Sequence, residues 1–568
     1  NNNSIIRQNE QSMSLKIQDL KPQDSRAVYK NINLDLRNYK KLKMYLHAES
    51  IEGKDLLPGD GVDNNFDNRL VAFLRLGNDI DENYYQIEVP LKPTSYNIGQ
   101  SAKFSSEKVW QPDSNSIDFD LEKFLNIKLK LISERIHSNE AVYFDEDLNI
   151  INEFSLISKL PGEKKYKFSI KGNPSLGKIK TITLGLKNPS TEIGKNLSGE
   201  VWFNELRLSE INNKGGWAAV ANLDANLADF ANVSFSGRIS TDGFGSVDKS
   251  PNERSNENYS QYSVVTNINA GQLLPENWGL QIPVSYTYTE EITKPKYDSY
   301  YNDIELDDIL DLTNNRDSIM NQSTMLSNSK SFSVLGLSKR KTNQKKSRIY
   351  DLENLNLSYS YSENNFQDFE MEYSDRKMVM ANAQYSYNFE SLNVFPFESF
   401  FKNKDSKYLK WLKEFNFNPL PNSLIFSGNF NRTLYKQKFR EINYSGIISN
   451  SQIPIPEFTQ AKFMFDWLMS ISHNVSRSLV INYNASNSSL VPSFSKEMNI
   501  NERNRMELFD NFFNVGQSNF FNQNLTASYN LPISDFPALH VFDQKYSNSG
   551  NIDLQKGADV LDIVSGGY

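Results

Sequence analysis

Two clusters of carboxylates come nearest to a spacing that could do chemistry. Asp60, Asp63 and Asp67 lie in a Gly/Asn-rich stretch, and Asp303, Glu305, Asp307, Asp308 and Asp311 crowd into a second. Hard oxygen ligands so placed can hold Ca²⁺, but an EF-hand loop also needs a central Gly and a closing Glu at its twelfth position. The first cluster lacks that Glu and the second lacks the Gly, so both read as solvated loop acids. The paired carboxylates of a glycoside hydrolase are defined by their separation in space, and nothing in the order of these acids singles out a pair. The four histidines, His47, His137, His473 and His540, include no two at ligand spacing. Zinc hydrolysis and a His-based triad therefore lack support, and each His reads as an ordinary structural or surface residue. With no Cys there is no thiolate, disulfide or cysteine nucleophile. The glycines of Asp242-Gly243-Phe244-Gly245, and Gly59 and Gly61 beside Asp60, do not continue into Gly-Lys-Ser/Thr and are turn residues. No catalytic, cofactor-binding or metal-binding residue is assigned, and the chain is not expected to be an enzyme.

The elements around these residues point elsewhere. The chain has 568 residues, 38% hydrophobic and 23% charged, ample for several folded domains. Its net charge is -8 and no domain-length stretch is strongly basic, so no nucleic-acid partner is expected. No window approaches the apolar length of a spanning helix. A transmembrane β-barrel, however, leaves only short alternating segments and a hydrophilic average. The opening Asn1-Asn2-Asn3-Ser4 is neither an initiator Met nor a signal peptide, so an internal piece or a mature chain lacking its start is expected.

Alternation of apolar and polar residues recurs throughout, the two-residue period of half-buried strands. The texture changes near Gly215-Gly216. Residues 1–40 form a lead-in of uncertain character. Residues 41–215 carry strand-like runs at Leu42–Leu46, Leu70–Leu76, Tyr84–Val89, Ile127–Ile132, Tyr166–Ile170, Ile179–Leu186 and Glu200–Leu208, separated by Gly, Pro, Asn and Asp. They fit one or two soluble β-sandwich-like domains, with lysine-bearing wet faces such as Lys178-Ile179-Lys180.

Over residues 216–568 the polar partner becomes small and uncharged. Leu355, Leu357, Tyr359 and Tyr361 alternate with Asn and Ser, as do Ala381, Ala383, Tyr385, Tyr387 and Phe389, and Leu525, Ala527, Tyr529 and Leu531. One face suits lipid and the other a wet lumen. Leu223 to Ile239 reads as a hairpin turning at Asp229, and Ser470 to Ala485 as another turning near Asn474–Ser476. Between them lie the long polar stretches Asp242–Ser260, Thr289–Ser331 and Leu490–Ser518, so short turns at one rim and long loops at the other are expected. Phe395, Phe397, Trp411, Phe415, Phe417 and Trp467 are candidates for interfacial girdles. At roughly 25 residues per strand the region supplies about 14 strands, well short of the roughly 36 of the largest barrels. The closing run Gly557–Tyr568 lacks an alternating last strand, so the expectation is a segment of a giant barrel rather than a whole one.

Beyond periodicity, the chain holds an ordered series of distinctive short stretches. The first half carries Phe73-Leu-Arg-Leu-Gly-Asn-Asp79, Asn83-Tyr-Tyr-Gln-Ile-Glu-Val-Pro90, Val109-Trp-Gln-Pro112, Lys171-Gly-Asn-Pro174 with Gly177, and Gly199-Glu-Val-Trp-Phe-Asn-Glu-Leu-Arg207. The second adds Gly216-Trp-Ala-Ala219, Leu227-Ala-Asp-Phe-Ala-Asn-Val233, Gly243-Phe-Gly245, Leu274-Pro-Glu276, Ile282-Pro283, Lys294-Pro295 before Tyr297, and Tyr529-Asn-Leu-Pro532 before Phe536-Pro537. In their joint order these stretches resemble the SprA/Sov family of outer-membrane translocons of the type 9 secretion system, over roughly Lys41 to His540, and Leu490 to Ser518 departs from the family pattern.

The resemblance implies a giant barrel in the bacterial outer membrane, with a wide aqueous pore and a side opening, exporting folded proteins in a Bacteroidetes-type secretion and gliding-motility setting. Its implied partners are a PorV-like small outer-membrane barrel protein, a periplasmic plug protein, exported cargo with a C-terminal sorting domain, and outer-membrane lipid. No cofactor is implied. The residues themselves leave open a passive porin or TonB-type transporter, a secreted β-rich glycan-binding or adhesion protein, and, remotely, a glycosidase.

Overall fold

The structure is a computed structural model. It describes residues 12–49, 70–94, 110, 112–136, 138–155, 166–191, 196–342, 347–400, 410–413, 415–442, 454–491, 505–530 and 547–557.

The chain up to residue 211 folds into strands β1 (Met13–Leu20), β2 (Ser25–Leu34), β3 (Tyr39–Glu49), β4 (Val71–Gly77), β5 (Tyr84–Pro90) and β6 (Ser116–Asp120). Helix α1 (Glu122–Glu134) follows, then β7 (Val142–Phe144), β8 (Ile150–Ile151), β9 (Lys167–Lys171), β10 (Ile179–Lys187) and β11 (Leu197–Ile211). They form two antiparallel sheets, ordered β1-β11-β3-β6 and β2-β10-β4-β5-β9-β7-β8. The residues read from sequence as a lead-in thus supply a strand to each sheet.

One core joins the two sheets. Leu42, Met44 and Leu46 alternate inward along β3, while Lys43 and Tyr45 face out. They share a cluster with Leu74, Ile87 and Phe168 of the second sheet.

The run Ile127–Ile132, expected as a strand, lies inside α1. Its Ile-Lys-Leu-Lys-Leu-Ile letters alternate, but Phe124, Ile127, Lys128 and Leu131 are the positions that become buried, a helical spacing of three and four that puts one stripe on the core. Arg135 ends the helix at φ 56°, its N–H bonding the Ile132 carbonyl. The other six runs fall within strands or overlap them by all but a terminal residue.

From residue 218 a third sheet begins. Its strands are β12 (Ala218–Leu227), β13 (Ala231–Ser240), β14 (Glu257–Asn269), the two-residue β15 (Leu280–Gln281), β16 (Pro283–Pro295), β17 (Met325–Lys339) and β18 (Leu355–Gln367). They continue as β19 (Met371–Asn388), β20 (Ser423–Phe439), β21 (Phe458–Asn474), β22 (Leu479–Val491), β23 (Gln517–Asn530) and β24 (Ser547–Gly557). Apart from β15, which pairs with β17, each strand pairs antiparallel with the next in sequence. Both expected hairpins, at Asp229 and at 475–478, are present. The sheet is open among the described residues, with β12 and β24 at its ends.

The division of connections between rims differs from the sequence expectation. The long stretches 241–256, 296–324 and 492–516 do share one rim, and the two tight hairpins share the other. Yet the first rim also carries the short turn at 368–370, and the second carries the long connection 389–422. Phe395, Phe397, Phe415 and Phe417 belong to that connection rather than to strand ends, with the Phe397 and Phe415 rings 5.9 Å apart. Trp467 is mid-strand in β21.

Phe124 is the pivot of the first unit's core, 4.8 Å from Tyr85, 5.1 Å from Phe119 and 5.8 Å from Phe168 between ring centroids. Phe124→Ala is expected to destabilise this unit by about 3–5 kcal/mol. Hydrogen exchange of the full chain should show β5 and β9 losing protection together; unchanged protection would contradict a single shared core.

Candidate functional site

The register of the third sheet sorts its side chains onto two unlike faces. On one, Leu223, Phe235, Val264 and Tyr288 stand in a row across β12, β13, β14 and β16. A second row runs Tyr359, Ala381, Phe430 and Phe465 from β18 to β21. On the opposite face the row is Ser358, Asn382, Asn429, Asp466 and Ser488. Short polar side chains there bond across strands: Ser263 with Thr289 at 2.8 Å, Ser470 with Asn484 at 2.7 Å and Ser472 with Asn482 at 2.8 Å. Such pairs tie neighbouring strands together along the polar face.

The apolar face ends in charge toward the rim of the long loops. There Lys330 bonds Glu363 at 2.9 Å, and Lys377 approaches the same carboxylate at 3.9 Å. No helix among the described residues is long and apolar enough to cross a membrane, which says nothing about strands.

Two polar side chains organise the parts that leave this sheet. The first is Asp303, from the connection between β16 and β17 that also holds α2 (Leu306–Leu312) and α3 (Arg316–Ser323). It was expected to be a solvated loop acid; instead it is 1% exposed. Its Oδ1 accepts from Lys128 Nζ at 2.7 Å, and its Oδ2 from Tyr85 Oη at 2.7 Å and from the Leu176 amide at 3.1 Å. The remaining Lys128 reach is taken by the Pro174 carbonyl at 2.7 Å.

This removes the calcium reading for that carboxylate, which is already neutralised by a lysine. Burial pulls the Lys128 ammonium below the ordinary lysine value, opposed by the Asp303 charge. Burial, with the same carboxylate, pushes the Tyr85 phenol well up. Around this centre Arg37 donates to the Asn302 carbonyl at 3.1 Å and lies over the Tyr297 ring at 4.5 Å, while Asn38 bonds Asn252 at 2.8 Å. Two loops of one rim therefore hold the first unit by a buried ion pair and its polar surround. The remaining acids of the cluster are exposed, with Asp307 paired to Lys294 and Asp311 to Arg316.

The second organiser is Arg432, 1% exposed although it projects from β20 on the apolar face. Its guanidinium donates to the carbonyls of Leu508, Asp510, Asn511 and Phe512, at 2.5 to 3.3 Å, and lies 4.6 Å from the Phe463 ring. Residues 505–516, from the connection after β22, are thereby strapped across the apolar face. Phe512 stacks on Phe430 at 5.6 Å. Nothing in the letters around Arg432 signals this, because its partners are backbone atoms far along the chain.

The sequence's other candidates stay apart. His47 is buried between Trp110 and Trp202, 5.3 and 5.4 Å away, and His473 Nε2 donates to the Asn418 carbonyl at 2.7 Å. Gly243 sits in a turn at φ 75°. Asp60, Asp63, Asp67, Gly59, Gly61, His137, His540, Phe536 and the run after Gly557 lie outside the described residues. No group of acids and histidines able to hold a metal occurs among the described residues.

What the geometry defines is a large antiparallel wall with an apolar and a hydroxyl/amide face, carrying a separately cored β unit on one rim. The family model described as motility related/secretion protein matches residues 1–310, more than half of the chain, and the chain belongs to this SprA_N family. No curated protein matches it.

Asp303→Ala would leave the Lys128 ammonium buried without its counter-ion, at a cost of about 3–5 kcal/mol. Limited proteolysis of the full chain should then cut within 296–324, and replacing the pair together, Asp303→Leu with Lys128→Met, should restore resistance. Cleavage unchanged in Asp303→Ala would refute the latch.

Proposed function

We propose that this chain forms part of the wall of a very large outer-membrane β-barrel that exports folded proteins, the translocon of a type 9 secretion system. The observation that carries the reading is the pair of unlike faces on one continuous meander. In hydrocarbon every backbone polar group must be satisfied within the structure, and a sheet with one apolar face does this once closed. A closed wall needs pairing at the outer edges of β12 and β24, which further strands would supply.

The Ser/Asn/Thr face suits passage. Its hydroxyls and amides hold water and outnumber the exposed Met380, Leu468 and Leu490 on the same face, so a folded cargo sliding past meets mostly hydrated surface. The wall catalyses nothing on this reading, and the energy for export comes from another component. Membership in a family of secretion and motility proteins supports it. The partners that fit are a PorV-like small barrel and a periplasmic plug, with exported cargo bearing a C-terminal sorting domain in the lumen and outer-membrane lipid outside. The first unit, two sheets over one core and latched through Asp303, reads as a sandwich-like domain standing on the rim of long loops.

The absence of cysteine gives a clean background for testing the faces. In cells, Cys at Ser358 or Ser360 should react with a water-soluble maleimide and Cys at Leu357 or Tyr359 should not. A bulky maleimide at Ser360→Cys should block export of a reporter carrying the sorting domain. Equal labelling of both series, or export unaffected by the bulky label, would contradict the reading.

A further inference from the structure

A trough of about 740 Å³ lies on the apolar face of the large sheet. Its floor is set by the small residues Ala381, Ala383 and Gly428, and its far side by Phe430, Phe465 and the strap's Phe512. Ala383 is exposed at the floor, and a Cβ on Gly428 would meet only the Phe465 ring, at 3.6 Å, so the depression comes from missing side chains rather than from backbone distortion. The lining side chains on this face offer hydrocarbon and aromatic carbon, with no charged group.

One end of the trough is different. Leu337, Leu355 and Tyr385 line it there. Two residues beyond Leu337, Lys339 ends β17, and the connection that follows to β18 is bonded directly to the trough: Tyr385 Oη donates to the Ile349 carbonyl and Tyr387 Oη to the Ser347 carbonyl at 2.9 Å. With Lys339, the described residues of this connection set Arg340, Lys341 and Arg348 against Asp351 and Glu353. Glu353 is spent on Lys339 at 2.8 Å, and Asp351 accepts from the Arg348 amide at 2.6 Å. Arg340, Lys341 and Arg348 are exposed, and beside them Ile349, Tyr350 and Leu352 are 49%, 70% and 65% exposed. Cations interleaved with exposed apolar side chains suit the boundary between headgroups and acyl chains.

We infer that the trough and this loop together bind one anionic glycerophospholipid, an acyl chain lying over Ala381, Ala383 and Gly428 and the phosphate meeting Arg340, Lys341 and Arg348. The inference rests on the apolar face being the one that meets lipid. A hydrocarbon-only channel opening at one end onto surplus positive charge is the complement of such a molecule. A protein side chain inserted in the trough would leave the cationic end without a role. Basic residues near a membrane surface each add to the hold on an anionic headgroup.

The test uses the full chain, extracted in detergent, delipidated and titrated in native mass spectrometry with phosphatidylglycerol, phosphatidylcholine of the same chains, or lipid A. One phosphatidylglycerol should be retained where phosphatidylcholine is not. Retention should fall about tenfold or more in the charge-reversed R340E/K341E/R348E variant, whose changes are all at exposed positions, and comparably in Ala383→Phe, which fills the floor. Equal retention of the two phospholipids, or variants that retain as well as the unaltered chain, would overturn the site while leaving the wall reading intact. Lipid A retained in place of phosphatidylglycerol would overturn the glycerophospholipid assignment. A chain recovered from cells without detergent would overturn the wall reading and this site with it.

Discussion

Backbone pairing along the meander is the constraint from which the other features follow. From β12 to β24 every strand but the short β15 pairs with its sequence neighbours, so the peptide groups of the interior strands are satisfied inside the sheet. Once that holds, the side chains on one face are free to be mostly apolar and those on the other mostly polar, because neither face is needed for backbone bonding. Arg432 shows what charge requires where that face is covered. A cation buried there needs its donors filled, here by four carbonyls of the strap.

The same economy governs the junction between the two halves. Asp303 and Lys128 sit at 0% and 4% side-chain exposure, where either alone would be a heavy cost. Each is the other's compensation, and Tyr85, Leu176 and Pro174 take up the remaining hydrogen-bonding capacity. A buried pair of this kind adds little net stability, but it penalises any other placement of the loop. It works as a position marker that joins residues far apart in sequence.

Sequence made the strands legible because alternation is local. Leu355 to Tyr361 and Ala381 to Phe389 announce both element and face from their own letters, and the hairpin at Asp229 follows from two such runs flanking a turn. What stayed hidden depends on partners distant along the chain. Ile127–Ile132 alternates yet is helical, since the burial of Phe124 and Leu131 against β9 and its neighbours decides the period. Asp303 looks like its exposed neighbours Asp307 and Asp311 until Lys128 is brought to it. Membership in the secretion and motility family was legible in the ordered motifs of the first half, whose residues the family model covers.

The wall itself is open to direct observation by electron cryomicroscopy of the native, detergent-extracted assembly containing this chain. A barrel far wider than a porin's, with the Ser358, Asn382 and Asn429 row facing a water-filled lumen and the Phe430 row facing detergent or a neighbouring barrel, is the expected result. A closed barrel of ordinary porin width, or a sheet whose apolar face packs against another layer of the same soluble protein, would contradict it.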